Sequence, residues 1–425
     1  MPGVPKSGIV VVGAGVAGLA AALYAHRLGH EVRVVERFAA PRPVGSGLLL
    51  QPTGLTVLAD LGLADAIMAL GERIDRLAGA DAASGRVVLD VAYRGGRFGL
   101  AVHRAALFGV LHEAVVAAGI PIVTTRDVSN VRRDANGLVL VTGDGGAERI
   151  AADLVVDAAG AASPLRDPAL PGSLGDRLAY GALWATLDWP GPPFDPHALA
   201  QRYRHASVMV GVLPIGRQAP DTQLQCALFW SLKPVDLAEV KAAGIDAWKQ
   251  QVERIWPATR PLLDQIRSFE DLTLARYGHH TLLRPFGDGI VHIGDSAHAT
   301  SPQLGQGANM ALLDARALAQ ALVTCDSLAD VGPAYAGMRR RHVRLYQLMS
   351  RALTPFYQSD GRLIPFARDT LVSTLARVPP MPAILAALVA GTLVDPFRAI
   401  GLTECAPEQL AKGRWGRRSG SLSKP

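Results

Sequence analysis

The chain has 425 residues, of which 49% are hydrophobic and 19% charged, a mixture that excludes a disordered or collagen-like protein. At roughly 150 residues per domain the length predicts two to three domains with a sizeable core. The net charge of +6 rests on 43 basic residues, only six of them lysine, with no basic block interleaved with aromatics, so nucleic acid is not an expected partner. Cys226, Cys325 and Cys405 are odd in number and far apart. They make neither a metal pattern nor a disulfide framework, and no metal site is expected. A reducing, cytoplasmic setting is.

The first element is ambiguous on its face. Ile9 to Ala25 is a run of 17 uncharged residues behind Lys6, which resembles a signal peptide or a membrane span. The glycines favour another reading. Gly13, Gly15 and Gly18 make G-x-G-x-x-G between a β-branched strand, Ile9–Val12, and an Ala/Leu helix from Val16 to Leu28 closed by Gly29. A second strand, Glu31–Val35, ends at Glu36, 18 positions after Gly18. This is a dinucleotide-binding βαβ unit. Gly13 allows the turn, Gly15 lets backbone approach a pyrophosphate, and Gly18 lets helix and strand pack closely. The helix start at Val16 and Ala17 offers free N–H groups to a diphosphate, and Glu36, beside Arg37, accepts from a ribose hydroxyl. The bland alternative is a glycine-rich buried helix hairpin.

Further on, residues 72–98 read as strand, turn and strand, with Ser84-Gly85 at the turn. A strand at Ile122–Thr124 precedes Val128. Residues 179–232 are rich in Trp, Tyr, Val and Leu. With 72–98 they predict a second, mixed β-sheet. Pockets form at domain interfaces and are mostly apolar. Tyr180, Trp184, Tyr203, Met209, Leu213, Pro214, Gln225 and Phe229 are therefore candidate substrate-pocket residues, each equally readable as core. No catalytic base is named among them.

A second signature lies at 288–314. Gly289–Ile293 reads as a short buried strand ended by Gly294-Asp295. Pro302 and a turn, Gly305-Gln306-Gly307, precede a helix from Ala308 to Val323. A carboxylate at a strand end can hold polyol hydroxyls, and a helix N-terminus beyond a glycine turn can face negative charge. His298 reads as a structural hydrogen-bonder rather than a catalyst. Residues 346–425 read as mostly helical. The uncharged stretch Ala383–Val394 is too short to span a bilayer and is expected to be a buried helix. The tail from Lys412, with Arg414, Arg417, Arg418 and Lys424, reads as a disordered basic end.

Gly294-Asp295, Ala297-His298, Pro302, Gly305, Gly307, Asn309 and Asp314 resemble the second FAD motif of the single-component flavoprotein aromatic hydroxylases, the para-hydroxybenzoate hydroxylase-like group. The resemblance runs over about residues 8–345. It includes the N-terminal fingerprint, Gly45-x-Gly47 before Leu61-Gly62-Leu63, and Val102-His103-Arg104-x-x-Leu107. It implies an α/β protein with a Rossmann-like, glutathione reductase-type FAD-binding domain (1–71, 99–178 and 273–345). A mixed β-sheet substrate domain (72–98 and 179–272) and a helical C-terminal region (346–425) complete it. By resemblance Asp295 holds the ribityl chain. Backbone around Leu304–Ala308, within Pro302 to Asn309, faces the flavin pyrimidine. Arg104 meets the ribose–phosphate region, with Arg42 in the same groove, and Val128 touches adenine through its backbone.

The family's third motif is an Asp-Gly followed by Ser and Arg. Gly160, Ser163 and Arg166 fit, but the aspartate position is Ala159 and the carboxylate stands at Asp157. Alternation puts 157 and 159 on one side of a strand, about 6–7 Å apart, so Asp157 is expected to reach partly into the same region. With one fingerprint only, NADPH or NADH would bind transiently near the flavin. The resemblance implies a monooxygenase: NAD(P)H reduces FAD, O₂ adds at flavin C4a, and the hydroperoxide passes one oxygen to an aromatic small molecule. Three alternatives stand beside it. A flavin halogenase lacks support, since no lysine lies between Lys6 and Lys233 and the Trp-x-Trp-x-Ile-Pro stretch is missing. An FAD-dependent oxidase, dehydrogenase or reductase fits the Ala159 departure. A non-enzymatic escort protein would have lost its flavin.

Overall fold

The computed structural model describes residues 3–40, 46–134, 137–143, 150–167, 172, 175–361 and 378–411. Arg42, Gly45 and the basic tail from Lys412 lie outside them.

The N-terminal unit folds as its glycines predict. Strands Gly8–Val12 and Glu31–Val35 pair in parallel, and helix Val16–Arg27 makes the crossover that parallel neighbours require. Leu154–Asp157 pairs with the other side of the first strand, Ile290–His292 lies beyond it, and Ile122–Val123 closes the opposite edge. The uncharged N-terminal run has a packing reason. Ile9, Val11 and Val34 pack beneath the fingerprint helix and helix Gly307–Thr324. Val10, Val12 and Val155 pack on a three-stranded antiparallel sheet, Val128–Asp134, Gly137–Thr142 and Ile150–Ala152. A parallel strand covered on both faces has no polar side to show.

The second sheet has seven strands in the order Thr273–His279, Asp176–Asp188, Gln225–Leu232, Val208–Gly216, Ala198–Arg204, Arg76–Asp81 and Val87–Ala92. It is mixed: Ala198–Arg204 runs parallel to Arg76–Asp81 and the other pairings are antiparallel. Thr273–His279 was grouped by sequence with the FAD-binding part, yet it bonds along Asp176–Asp188. Strand alternation identifies a strand but not the sheet it joins. One face, including Leu183, Val210, Leu228 and Trp230, packs on Trp248 and Val252 of helix Ile245–Ile255. The opposite face looks toward the first domain. A small antiparallel sheet, Gly47–Leu50, Gly99–His103 and Glu72–Ile74, bridges the two.

Helix Leu328–Tyr357 is continuous across residue 345, where the sequence placed a domain boundary. The apolar stretch near 383 forms helix Met381–Ala390, ended by Gly391 at φ +84°. Arg97 grips Glu404 through two hydrogen bonds, 2.6 and 2.7 Å, which fastens the late chain to the first domain. Among the described residues no helix is long and apolar enough to cross a membrane.

Candidate cofactor cleft

A cleft of about 420 Å³ opens along the carboxyl ends of the parallel strands. One wall is the fingerprint turn: Gly13, Gly15, Val16 and Ala17 line it. Its glycines are required by space. A Cβ on Gly18 would stand 1.9 Å from the Gly13 carbonyl oxygen, and one on Gly13 would stand 2.5 Å from that of Ala158. Gly13 also sits at φ +103°. Apart from its adjoining backbone, nothing lies within 4 Å of a Cβ position on Gly15, so the room there belongs to the cleft. Gly15 is the N-cap of the fingerprint helix and no side chain caps it, so the first N–H groups remain available.

Glu36 and Arg37 line the cleft at the end of the second strand. The Glu36 carboxylate accepts from Ala14 N–H at 2.8 Å and Phe38 N–H at 3.1 Å, so it braces the fingerprint turn as well as facing the cleft. Arg104 begins helix Arg104–Ala117, whose N-cap His103 accepts from Ala105 N–H at 3.0 Å. Val128 and Gly160 complete this end of the lining.

The opposite wall comes from far down the chain. Asp295, Gly307 and Ala308 line the same cleft as Gly13 and Gly15. Asp295 is exposed to the cleft, and crowding by the protein around it raises its carboxyl above the usual range, against the pull of His298 and Arg104. Helix Gly307–Thr324 also starts without a side-chain cap, so two open helix N-termini converge on one cavity. Behind Asp295 lies a buried charge network. Asp314 accepts from Gly294 N–H at 2.8 Å, His298 Nε2 at 2.6 Å and Arg339 Nε at 2.6 Å. Burial alone would raise the Asp314 carboxyl, but His298 and Arg339 outweigh it and hold it well below the usual range. Burial, with Arg339 alongside, pushes the neighbouring His342 imidazole down to about 3.

The profile of a family described as the FAD binding domain matches residues 6–327. The chain belongs to that family. It is 29% identical over 369 residues to a kynurenine 3-monooxygenase of Salinispora arenicola, covering 81% of this chain and 78% of the relative. It is likewise 29% identical over 342 residues to a 6-hydroxynicotinate 3-monooxygenase of Bordetella bronchiseptica, covering 75% and 82%. In fold it is similar to Klebsiella pneumoniae HpxO complexed with FAD and uric acid, with a TM-score of 0.75, 20% identity, and coverage of 90% of this chain and 97% of that one.

The FAD-binding family's cleft fits a dinucleotide by its own geometry: an open cradle at Gly15, two uncapped helix starts and a carboxylate at each strand end. Not every residue singled out by sequence lines it. Gly18 serves packing. Pro302 and Gly305 shape the 3-10 turn Pro302–Leu304, which Gly305 ends at φ +60°. Asn309 is buried and spends its side chain inside, accepting from Gln51 N–H at 2.8 Å and donating to the Leu49 and Gly305 carbonyls. Gln306 donates to the Val389 carbonyl at 2.8 Å. Asp157 does not reach into the cleft, contrary to expectation. Its carboxylate is turned inward by Ser163, His292 and the Ala159 N–H. Ala159 itself lines the cleft.

Sequence reading missed Phe108 and His112, which stack at 5.4 Å one helical turn apart and both line the cleft. Their i, i+4 spacing on the helix after Arg104 was the available signal.

The pocket candidates divide. Trp184 and Phe229 lie 4.7 Å apart with their rings tilted by 34° and join Tyr203 and Met209 in one cluster on the inward sheet face. The Phe229 ring occupies the place a Cβ on Gly211 would take. Trp184 Nε1 donates to the Tyr277 hydroxyl at 3.0 Å. Leu213 packs instead with Leu49, Ile74 and Val389. Tyr180 and Gln225 lie elsewhere in the sheet: Tyr180 donates to Asp360 at 2.7 Å, and Gln225 accepts from Gln218 at 3.1 Å. Pro214 stands opposite Cys226 in the strand pairing.

Proposed function

We propose that this chain is an FAD-dependent monooxygenase that oxygenates an aromatic or polycyclic small molecule with O₂ and electrons from NADPH or NADH. The observation that carries the reading is that the fingerprint turn and Asp295 line one cleft. In it Gly13, Gly15, Val16 and Ala17 receive the diphosphate, and Glu36 and Arg37 receive the adenosine ribose. Arg104, Val128 and Gly160 line the nucleotide half, while Asp295 takes the ribityl hydroxyls. The turn from Pro302 through Gly305, Gln306, Gly307, Ala308 and Asn309 presents the helix N-terminus to the pyrimidine edge. Bound FAD supplies electron transfer and oxygen activation. The protein orients it, and the helix N-terminus stabilises negative charge by up to ~2 kcal/mol at a partly buried site. On the inward sheet face the half-buried Trp184, backed by the buried Phe229, Tyr203, Met209 and Leu213, is the aromatic and apolar wall for a flat substrate. The three free cysteines fit a reducing, cytoplasmic setting.

Ala159 in the cleft lining favours one second reading, an FAD-dependent oxidase or reductase with a different electron source. Anaerobic mixing of the yellow holoprotein with NADH and NADPH across phenols, quinones and polycyclic aromatics tests the first. Flavin bleaching accelerated by one compound, followed by incorporation of labelled oxygen into product, is the expected result. Oxygen consumption that yields only unlabelled product supports the second.

A further inference from the structure

The relocated carboxylate has a definite place in the fold. Val12, Asp157 and His292 stand side by side in the parallel sheet, at the ends of three adjacent strands. Asp157 is fully buried and His292 is 2% exposed. Isolating a carboxylate from water is costly unless charge-assisted hydrogen bonds replace the lost hydration. Here there are three. Asp157 accepts from Ala159 N–H at 3.0 Å, from the Ser163 hydroxyl at 2.7 Å and from His292 Nδ1 at 2.7 Å. Ser163 Oγ in turn accepts from Leu165 N–H at 3.1 Å. The loop 158–165, which gives Ala158, Ala159, Gly160, Ala162 and Pro164 to the cleft, is thus pinned from beneath.

The same residue holds the other wall. Its carbonyl accepts from the Ser296 hydroxyl at 2.6 Å and from Ile293 N–H at 2.9 Å, the neighbours of Gly294-Asp295. The tie to the fingerprint strand is made by the next residue: Ala158 N–H donates to the Val12 carbonyl at 2.8 Å. Asp157 therefore joins the 158–165 loop to the Asp295 turn, and Ala158 beside it ties both to the fingerprint strand.

We propose that Asp157 is a positioning residue for the cofactor: without touching it, the buried carboxylate sets the 158–165 loop and its carbonyl sets the Asp295 turn. The two cleft walls then meet the dinucleotide in register. Asp157 takes over, from two places earlier, the anchoring that a carboxylate at 159 would provide from the cleft side. The inference rests on the reading that this cleft holds FAD. An Asp157→Asn change would replace one acceptor by a donor facing Ser163 and His292, leaving a buried mismatch under the loop.

The test is FAD titration of the flavin-stripped full chain, followed by quenching of flavin fluorescence, with circular dichroism and the melting temperature recorded for each variant. Asp157→Asn is expected to raise the Kd at least about ten-fold and Ser163→Ala about three-fold or more, from the loss of one to three buried hydrogen bonds. Asp153→Asn is the control. That carboxylate lies on the same segment but, among the described residues, accepts only Gly8 N–H, at 2.7 Å, toward the start of the strands, and the variant should stay within about two-fold. A purely structural role would lower the melting temperature and leave the Kd unchanged. Unchanged affinity in Asp157→Asn and Ser163→Ala overturns the proposal, as does an equal loss in Asp153→Asn. If Asp157→Asn does not fold, Ser163→Ala decides alone. A wild-type chain that binds no FAD overturns the cofactor reading itself, an outcome distinct from equal binding by wild type and variants.

Discussion

The five-stranded and seven-stranded sheets present different chemistry. The first offers main chain: a glycine turn, two uncapped helix starts and carboxylates at strand ends. The second offers side chains, a layer of Trp184, Phe229, Tyr203 and Met209 standing on a regular ladder. A ligand held by main chain constrains which residues fit, because a Cβ in the wrong place collides with backbone that cannot give. A surface made of side chains tolerates many apolar solutions of similar volume. The cofactor half therefore carries a motif, and the substrate half carries a composition.

The sharpest way to break this contrast is at Gly18. Gly18→Val places carbon on the Gly13 carbonyl, and we expect no yellow protein and a large fall in folding yield. Recovery of normal flavin content would refute the close-packing account.

Acid should come next in size. His342 moves from its ordinary 6.5 to about 3 in the folded state, so the unfolded chain binds that proton first as pH falls. Stability is then lost from roughly pH 6.5 downward. The lowered Asp314 carboxyl adds a loss of the same sign below the usual carboxylate range. Urea midpoints at neutral and mildly acid pH should drop by an amount worth a few kcal/mol at most, and His342→Gln should flatten the upper part of that fall. A level wild-type profile would contradict it.

Glu36→Ala removes the brace on Ala14 and Phe38 and a ribose acceptor, so FAD affinity should fall about ten-fold, measured by fluorescence titration. Phe229→Leu should cost about 1 kcal/mol of stability, keep FAD affinity within about two-fold, and alter the spectral response of the holoprotein to aromatic ligands. An equal loss of FAD binding in Phe229→Leu would show that the two halves are not separable.

The same contrast explains what could be read from the chain beforehand. Gly13, Gly15, Glu36 and Asp295 were legible because each answers a local demand of turn, strand end or helix start. Asp157 was expected to reach toward the cleft on the side of Ala159, yet its destination depended on His292, which arrives by pairing with a segment far along the chain. Asn309 looked like a ligand group and instead ties Gln51 to the helix, for the same reason: its partners are tertiary. Thr273–His279 was grouped with the FAD-binding part, and its sheet is set by pairing with Asp176–Asp188, which local sequence does not specify. The substrate candidates were drawn from composition, and only four of them form one cluster.

Because Gly15 and Asp295 belong to opposite walls of one cavity, a ribosome must extrude most of the polypeptide before the coenzyme has anywhere to settle. The coenzyme therefore meets a cleft whose two walls are both present only late in synthesis. The colour of a freshly made sample then works as a completion signal, reporting that the beginning and the far segment of the molecule have found each other.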